Sequence, residues 1–87
     1  MERYKLQIKP SASKELDLVG SKKDRQRIVT RINSLADDPR PSGCEKLEAE
    51  KNRYRVRQGN YRIVYSIDDQ RRLVIVTKIG HRSDVYR

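Results

Sequence analysis

The stretch that decides the fold is Tyr54-Arg55-Val56-Arg57-Gln58-Gly59-Asn60-Tyr61-Arg62-Ile63-Val64-Tyr65. Apolar and polar residues alternate on both sides of Gly59-Asn60, the pattern of two strands meeting at a two-residue hairpin turn. Counting outward from that turn sets Gln58 against Tyr61, Arg57 against Arg62, Val56 against Ile63, Arg55 against Val64 and Tyr54 against Tyr65. Successive side chains of a strand point to opposite faces. Tyr54, Val56, Tyr61, Ile63 and Tyr65, with Ile67 beyond them, therefore share an apolar face. Arg55, Arg57, Arg62 and Val64 share the other. The assignment depends on loop length, because a one-residue slip exchanges the faces.

Arg57 opposite Arg62 is the most informative pair. Like charges directly across a ladder destabilise it. A strand with no use for the pair would be better served by Thr or Glu. A phosphate between the two guanidiniums turns the repulsion into a bidentate clamp. The bland alternative is a solvated basic face with local carboxylate partners, the usual fate of charged strand residues.

Upstream, Tyr4-Lys5-Leu6-Gln7-Ile8 alternates as a half-buried strand, stopped by Pro10 and Ser11. Ala12, Leu16 and Val19 fall at helical spacing, and Gly20 is suited to close that helix. Ser21 followed by Asp24 reads as a capping-box-like start. Ile28, Ile32, Leu35 and Ala36 then form one stripe of an amphipathic helix. Its other face carries Lys23, Arg27 and Arg31, and the loop from Asp37 to Gly43 ends it. The segment from Cys44 to Asn52 has no clear period. Downstream of the hairpin and the turn Asp68-Asp69-Gln70-Arg71, a strand runs from Leu73 to Ile79. Leu73, Ile75, Thr77 and Ile79 alternate with Val74, Val76 and Lys78, so both faces are largely apolar. The pattern suits a central strand and leaves open which set meets the helices. The order β-α-α-β-β-β predicts an α+β fold, with two N-terminal helices packed on one face of a small, mainly antiparallel sheet. Without repeat or linker, residues 1–87 read as one domain.

Composition narrows the partners. The 87 residues hold 21 Lys and Arg against 12 Asp and Glu, a net charge of +9, with no Phe or Trp. Such an excess selects acidic partners, nucleic acid first. No apolar run approaches the roughly 20 residues of a membrane span. Met1-Glu2-Arg3-Tyr4-Lys5 lacks the apolar stretch of a signal peptide. One cysteine, Cys44, allows no internal disulfide, which suits a reducing cytoplasm. It reads as a small semi-buried side chain rather than a reactive thiol.

The chain ends Gly80-His81-Arg82-Ser83-Asp84-Val85-Tyr86-Arg87. Gly80 breaks the strand. His81 has the one side chain whose ordinary pKa, near 6.5, suits proton transfer in either direction, although a lone histidine is more often a surface residue. Tyr86 alone reads as an anchor for the terminus.

Taken together, Leu47, the Tyr54–Tyr65 hairpin, the apolar strand and the Gly80–Tyr86 ending resemble the RelE family of toxin–antitoxin toxins. The Tyr-Arg-x-x-Tyr strand with the His-Arg-x-x-x-Tyr ending points to the RelE/ParE superfamily. The resemblance implies a toxin that enters the ribosomal A site and cuts mRNA on the basic sheet face. In that chemistry the RNA's own 2′-OH attacks the adjacent phosphorus, with no metal or other cofactor. It also implies a cognate antitoxin with an acidic helical segment. By position, the family's basic site residues fall on Arg55, Arg57, Arg62 and Arg82, and its C-terminal tyrosine on Tyr86. Lys46, Lys51 and Arg53 extend the RNA-binding set. The best-known members carry lysines where this chain has Arg55 and Arg57. Arginine clamps a phosphate but does not give up its proton. The base is then left to Tyr86, which alternatively stacks on a nucleobase, or to His81 as acid or base. Two other readings fit the same residues: a ParE-like gyrase inhibitor, and a non-catalytic basic RNA-binding module.

Overall fold

The computed structural model describes residues 3–47 and 52–81. Its elements are β1 (Lys5–Ile8), α1 (Pro10–Asp17), α2 (Lys22–Ser34), β2 (Glu45–Lys46), β3 (Arg53–Gln58), β4 (Tyr61–Asp68) and β5 (Leu73–His81). They form one sheet in the order β1-β5-β4-β3-β2. β1 runs parallel to β5, and every other pairing is antiparallel. The order differs from expectation by one strand, β2, which is too short to show any alternation.

Pro10 both ends β1 and opens α1, where its missing N–H costs nothing. α1 stops at Asp17 with Leu18 as a right-handed cap. Gly20 lies beyond that cap and has no left-handed φ, so it does not close the helix as its position suggested. The Arg25 guanidinium instead donates to the Val19 carbonyl, at 2.6 Å, across the α1–α2 connection. Ser21 caps α2 as read from the sequence, its hydroxyl accepting from the Asp24 N–H at 3.2 Å. Ile28, Ile32 and Leu35 of the α2 stripe are buried. α1 packs on β5 and α2 on β3 and β4, so both helices cover one sheet face.

The hairpin has the register counted from its turn, with Arg57 opposite Arg62 and Tyr54 opposite Tyr65. Gly59 sits at φ +61 while Asn60 does not take a positive φ, the φ pattern of a type II′ turn with glycine in first place. β5 is less regular. Tyr65 pairs with Val76 but Val64 pairs with Lys78, which leaves Thr77 as an extra residue. Such a bulge reverses the alternation beyond it. Val74 and Val76 enter the core before the bulge, and Ile79 enters it after. The two apolar faces of β5 thus serve the same core in turn.

The far end of the sheet is tied down by polar groups. The Tyr65 hydroxyl donates to the Pro39 carbonyl at 2.7 Å. Arg40 donates to both carboxylate oxygens of Asp69, at 3.3 and 2.9 Å, and to the Tyr54 hydroxyl at 3.1 Å. Tyr4 adds a third donor to Asp69 at 2.7 Å. The Arg40 guanidinium, and then Tyr4, hold the Asp69 carboxyl below the usual carboxylate range. Burial, more than any neighbour, pushes the Tyr65 phenol up. Among the described residues no helix is long and apolar enough to cross a membrane.

Candidate nucleic-acid interface

Strand register lays out the face away from the helices as rows. The first runs Arg57–Arg62–Gly80, the second Glu45–Arg55–Val64, with Lys78 next in register but its ammonium turned to Glu15 of α1 at 3.1 Å, and the third Arg53–Ser66–Ile75–Gln7. Four arginines from β3 and β4 thus share the face away from the helices. Arg57 is exposed, while Arg62 is only 4% exposed. The charged centre is therefore a buried guanidinium with an exposed one beside it. Gly80, on the other side of Arg62, adds no side chain over it. The Thr77 bulge is what brings Gly80 there, since an unbroken alternation would have put His81 and Ile79 on this face. Arg55 is mostly covered, its side chain 11% exposed, and its guanidinium is ion-paired with Glu45.

His81 goes the other way. It stands in register with Tyr61, and the two rings meet edge to face at 5.6 Å and 84°. That is the side of the tyrosines and helices. With Glu15, Leu18 and Tyr61 it lines a groove of about 290 Å³. Lys46 is exposed and in register with Tyr54, so it also lies on the side away from the arginines. The structure thus gathers Arg53, Arg55, Arg57 and Arg62, and brings neither His81 nor Lys46 to them. Lys51, Arg82 and Tyr86 lie outside the described residues. Among the described residues no three His, Cys, Asp or Glu side chains come together as a metal site.

Residues 6–86 match the family described as the ParE toxin of type II toxin–antitoxin system, parDE. The chain belongs to this ParE toxin family. Its structural neighbours extend the relationship across the RelE/ParE superfamily. The archaeal RelE of the RelE–RelB complex from Pyrococcus horikoshii superposes with a TM-score of 0.82 at 25% identity, covering 94% of this chain and 98% of that one. The isolated Escherichia coli RelE toxin superposes with a TM-score of 0.77 at 29% identity, covering 95% and 90%. Toxin RelG of Mycobacterium tuberculosis is 41% identical over 34 residues, a match that spans 39% of each chain. The chain is thus a type II toxin–antitoxin toxin of the RelE/ParE superfamily with the α+β fold of the RelE toxins.

One residue of this toxin's arginine face was not visible in the sequence. Glu45 reaches it through the two-residue β2. No signal marks it, because two residues carry no period and the pairing partner is set by tertiary folding.

Proposed function

We propose that the toxin is a ribosome-dependent mRNA endoribonuclease. The observation that carries this reading is the in-register pair Arg57 and Arg62 on the sheet face away from the helices. Two cations held together by a ladder incur a repulsive cost that a bound phosphate reverses. The scissile phosphate lies between them, Arg53 and Arg55 follow the neighbouring backbone, and Arg82 adds charge stabilisation to the phosphorane. The 2′-OH attacks the adjacent phosphorus, and Tyr86 serves the leaving 5′-oxygen. Likeness to RelE toxins supports this chemistry. RelE toxins of Pyrococcus horikoshii and Escherichia coli have been solved in toxin–antitoxin complexes, which supports a cognate antitoxin here, one whose acidic segment neutralises the same basic face. A toxin that acts on translating ribosomes works in the cytoplasm.

His81 takes no part in proton transfer in this reading, because it stands across the sheet against Tyr61. One observation favours a second reading, inhibition of DNA gyrase: the matching family is named for ParE. Purified toxin added to programmed ribosomes decides between them. Codon-linked cuts ending in a cyclic phosphate and a free 5′-OH, without gyrase inhibition, are the expected result. Intact mRNA together with blocked supercoiling overturns it.

A further inference from the structure

We propose that Glu15 is a positioning residue for the phosphate clamp, pinning the end of β5 in the register that sets a glycine beside Arg62. The inference rests on the endoribonuclease reading above. Glu15 belongs to α1, which packs against β5 on the face opposite the arginines. Its carboxylate accepts from the Ile79 N–H at 2.9 Å and from the Lys78 ammonium at 3.1 Å. Both partners lie between the bulge at Thr77 and Gly80, the residue in register with Arg62.

Ladder geometry explains why that amide is the one held. Successive residues of a strand direct their N–H and C=O alternately towards one neighbouring strand and the other. The Val76 carbonyl accepts from the Lys9 N–H at 2.9 Å, so Val76 faces the β1 side. β1 ends there, with Ile8 opposite Val76, and among the described residues no strand covers that edge of β5 further along. In an unbroken strand the next amide directed to the uncovered edge would be that of Lys78. The extra residue, Thr77, delays it to Ile79, and Ile79 is the amide that Glu15 takes. The bond is therefore made only in the bulged register. From within the sheet, the Thr77 hydroxyl supports the same register by donating to the Val64 carbonyl at 3.3 Å. The Ile79 bond matters more than the ion pair. A charged acceptor makes a hydrogen bond roughly twice as strong as a neutral one, whereas a pair with the 47% exposed Lys78 side chain adds little.

The register matters to the clamp. Counted from the Tyr65–Val76 pair, loss of the bulge moves each later residue of β5 by one place. Ile79 would then stand opposite Arg62 in place of Gly80. Lys78 would stand opposite Ile63, whose side chain is in the core, and His81 would pass beyond Tyr61. A β-branched side chain beside Arg62 would fill the space at the clamp that glycine leaves. Glu15 thus acts through β5, without touching RNA and without moving a proton.

The test compares Glu15→Ala with Glu15→Gln, whose amide oxygen still accepts from the Ile79 N–H. His81 is the single histidine of the chain. Its ring protons therefore report the edge-to-face contact with Tyr61 in a proton NMR spectrum, free of any other imidazole. Glu15→Ala is expected to stay folded by circular dichroism and to lose the Tyr61 ring-current shift at His81. Its single-turnover cleavage at saturating programmed ribosomes should fall about 10²-fold, the effect of a small misplacement of a clamp. The ribosome concentration that gives half-saturation should not change. Glu15→Gln should keep both the shift and the rate. A wild-type shift in Glu15→Ala overturns the proposal, and so does a Glu15→Gln variant as slow as Glu15→Ala. If Glu15→Ala does not fold, Glu15→Asp decides instead. It keeps the charge but is one methylene too short, so the same two losses support the proposal and wild-type behaviour overturns it. A wild type that makes no cuts sinks the endoribonuclease reading, and with it a role for Glu15 in cleavage. Cuts by wild type and Glu15→Ala at one rate overturn the role of Glu15 alone.

Discussion

On the helix side of the hairpin, Tyr54, Val56, Ile63 and Tyr65 are buried and packed against α2. On the other side, one residue away at every step, stand Arg53, Arg55, Arg57 and Arg62. Both faces share a backbone, a turn and a register, so local geometry cannot account for their difference. The helix face lowers the free energy of the fold by removing apolar area from water. The arginine face sets two like charges, Arg57 and Arg62, directly opposite each other, an arrangement that by itself opposes folding. If the proposed activity lies on the arginine face, stability and activity separate on this small sheet by face rather than by distance along the chain.

The comparison is most open to being broken within β5. Ile79 is 2% exposed and lies beyond the bulge in the core, while Ile75 lies before it on the arginine face. Ile79→Ala is expected to cost about 2–5 kcal/mol, and Ile75→Ala less than half of that, by chemical denaturation. Equal losses would mean that β5 keeps a single alternation throughout. Next in size is Arg62→Ala. It should lower mRNA cleavage about 10²- to 10³-fold, or roughly 2.7–4 kcal/mol of transition-state stabilisation, in protein that remains folded by circular dichroism. Unchanged cleavage on programmed ribosomes would remove the clamp.

Tyr65→Phe tests the helix side with one atom. Losing the bond to the Pro39 carbonyl should cost about 1 kcal/mol, a fall in Tm of about 4–8 °C. The change should also flatten the alkaline limb of stability. Burial raises the Tyr65 pKa in the folded state above its unfolded value. The contribution of the neutral phenol is thus complete below pH about 10 and is lost as pH rises further. Melting across that range in both proteins reads the difference. The smallest effect is on the arginine side. Arg57→Thr should raise stability by about 0.2–1 kcal/mol through relief of the pair, while weakening cleavage. A variant that loses stability as well would show that Arg57 is structural.

The hairpin, its register and its two faces were legible in the sequence because each depends on neighbours a few residues away. A two-residue loop leaves one way to pair the strands, and Gly59 supplies the positive φ that the loop needs. The α2 cap at Ser21 and the stripe of Ile28, Ile32 and Leu35 were legible for the same reason. Family membership followed from the hairpin and the ending together. Gly20 misled because a glycine near a helix end is only permissive, and here the Arg25 side chain closes the connection instead.

Three features of the site depended on long-range packing. Both faces of β5 are apolar, so alternation alone could not say where it would be broken. The break at Thr77 lets Val76 and Ile79 both reach the core, and it turns Gly80 towards Arg62 and His81 towards Tyr61. Glu45 reaches the arginines only because a two-residue strand closes against β3, a pairing too short to have a period of its own. The cover over Arg62, an arginine left 4% exposed on the face away from the helices, likewise exists only in the folded chain. From the sequence came the expectation of a phosphate clamp, with the base left to Tyr86 or His81. The tertiary structure moved the histidine away from it and brought a carboxylate alongside, because side-chain direction in a sheet is set by pairing as well as by residue type.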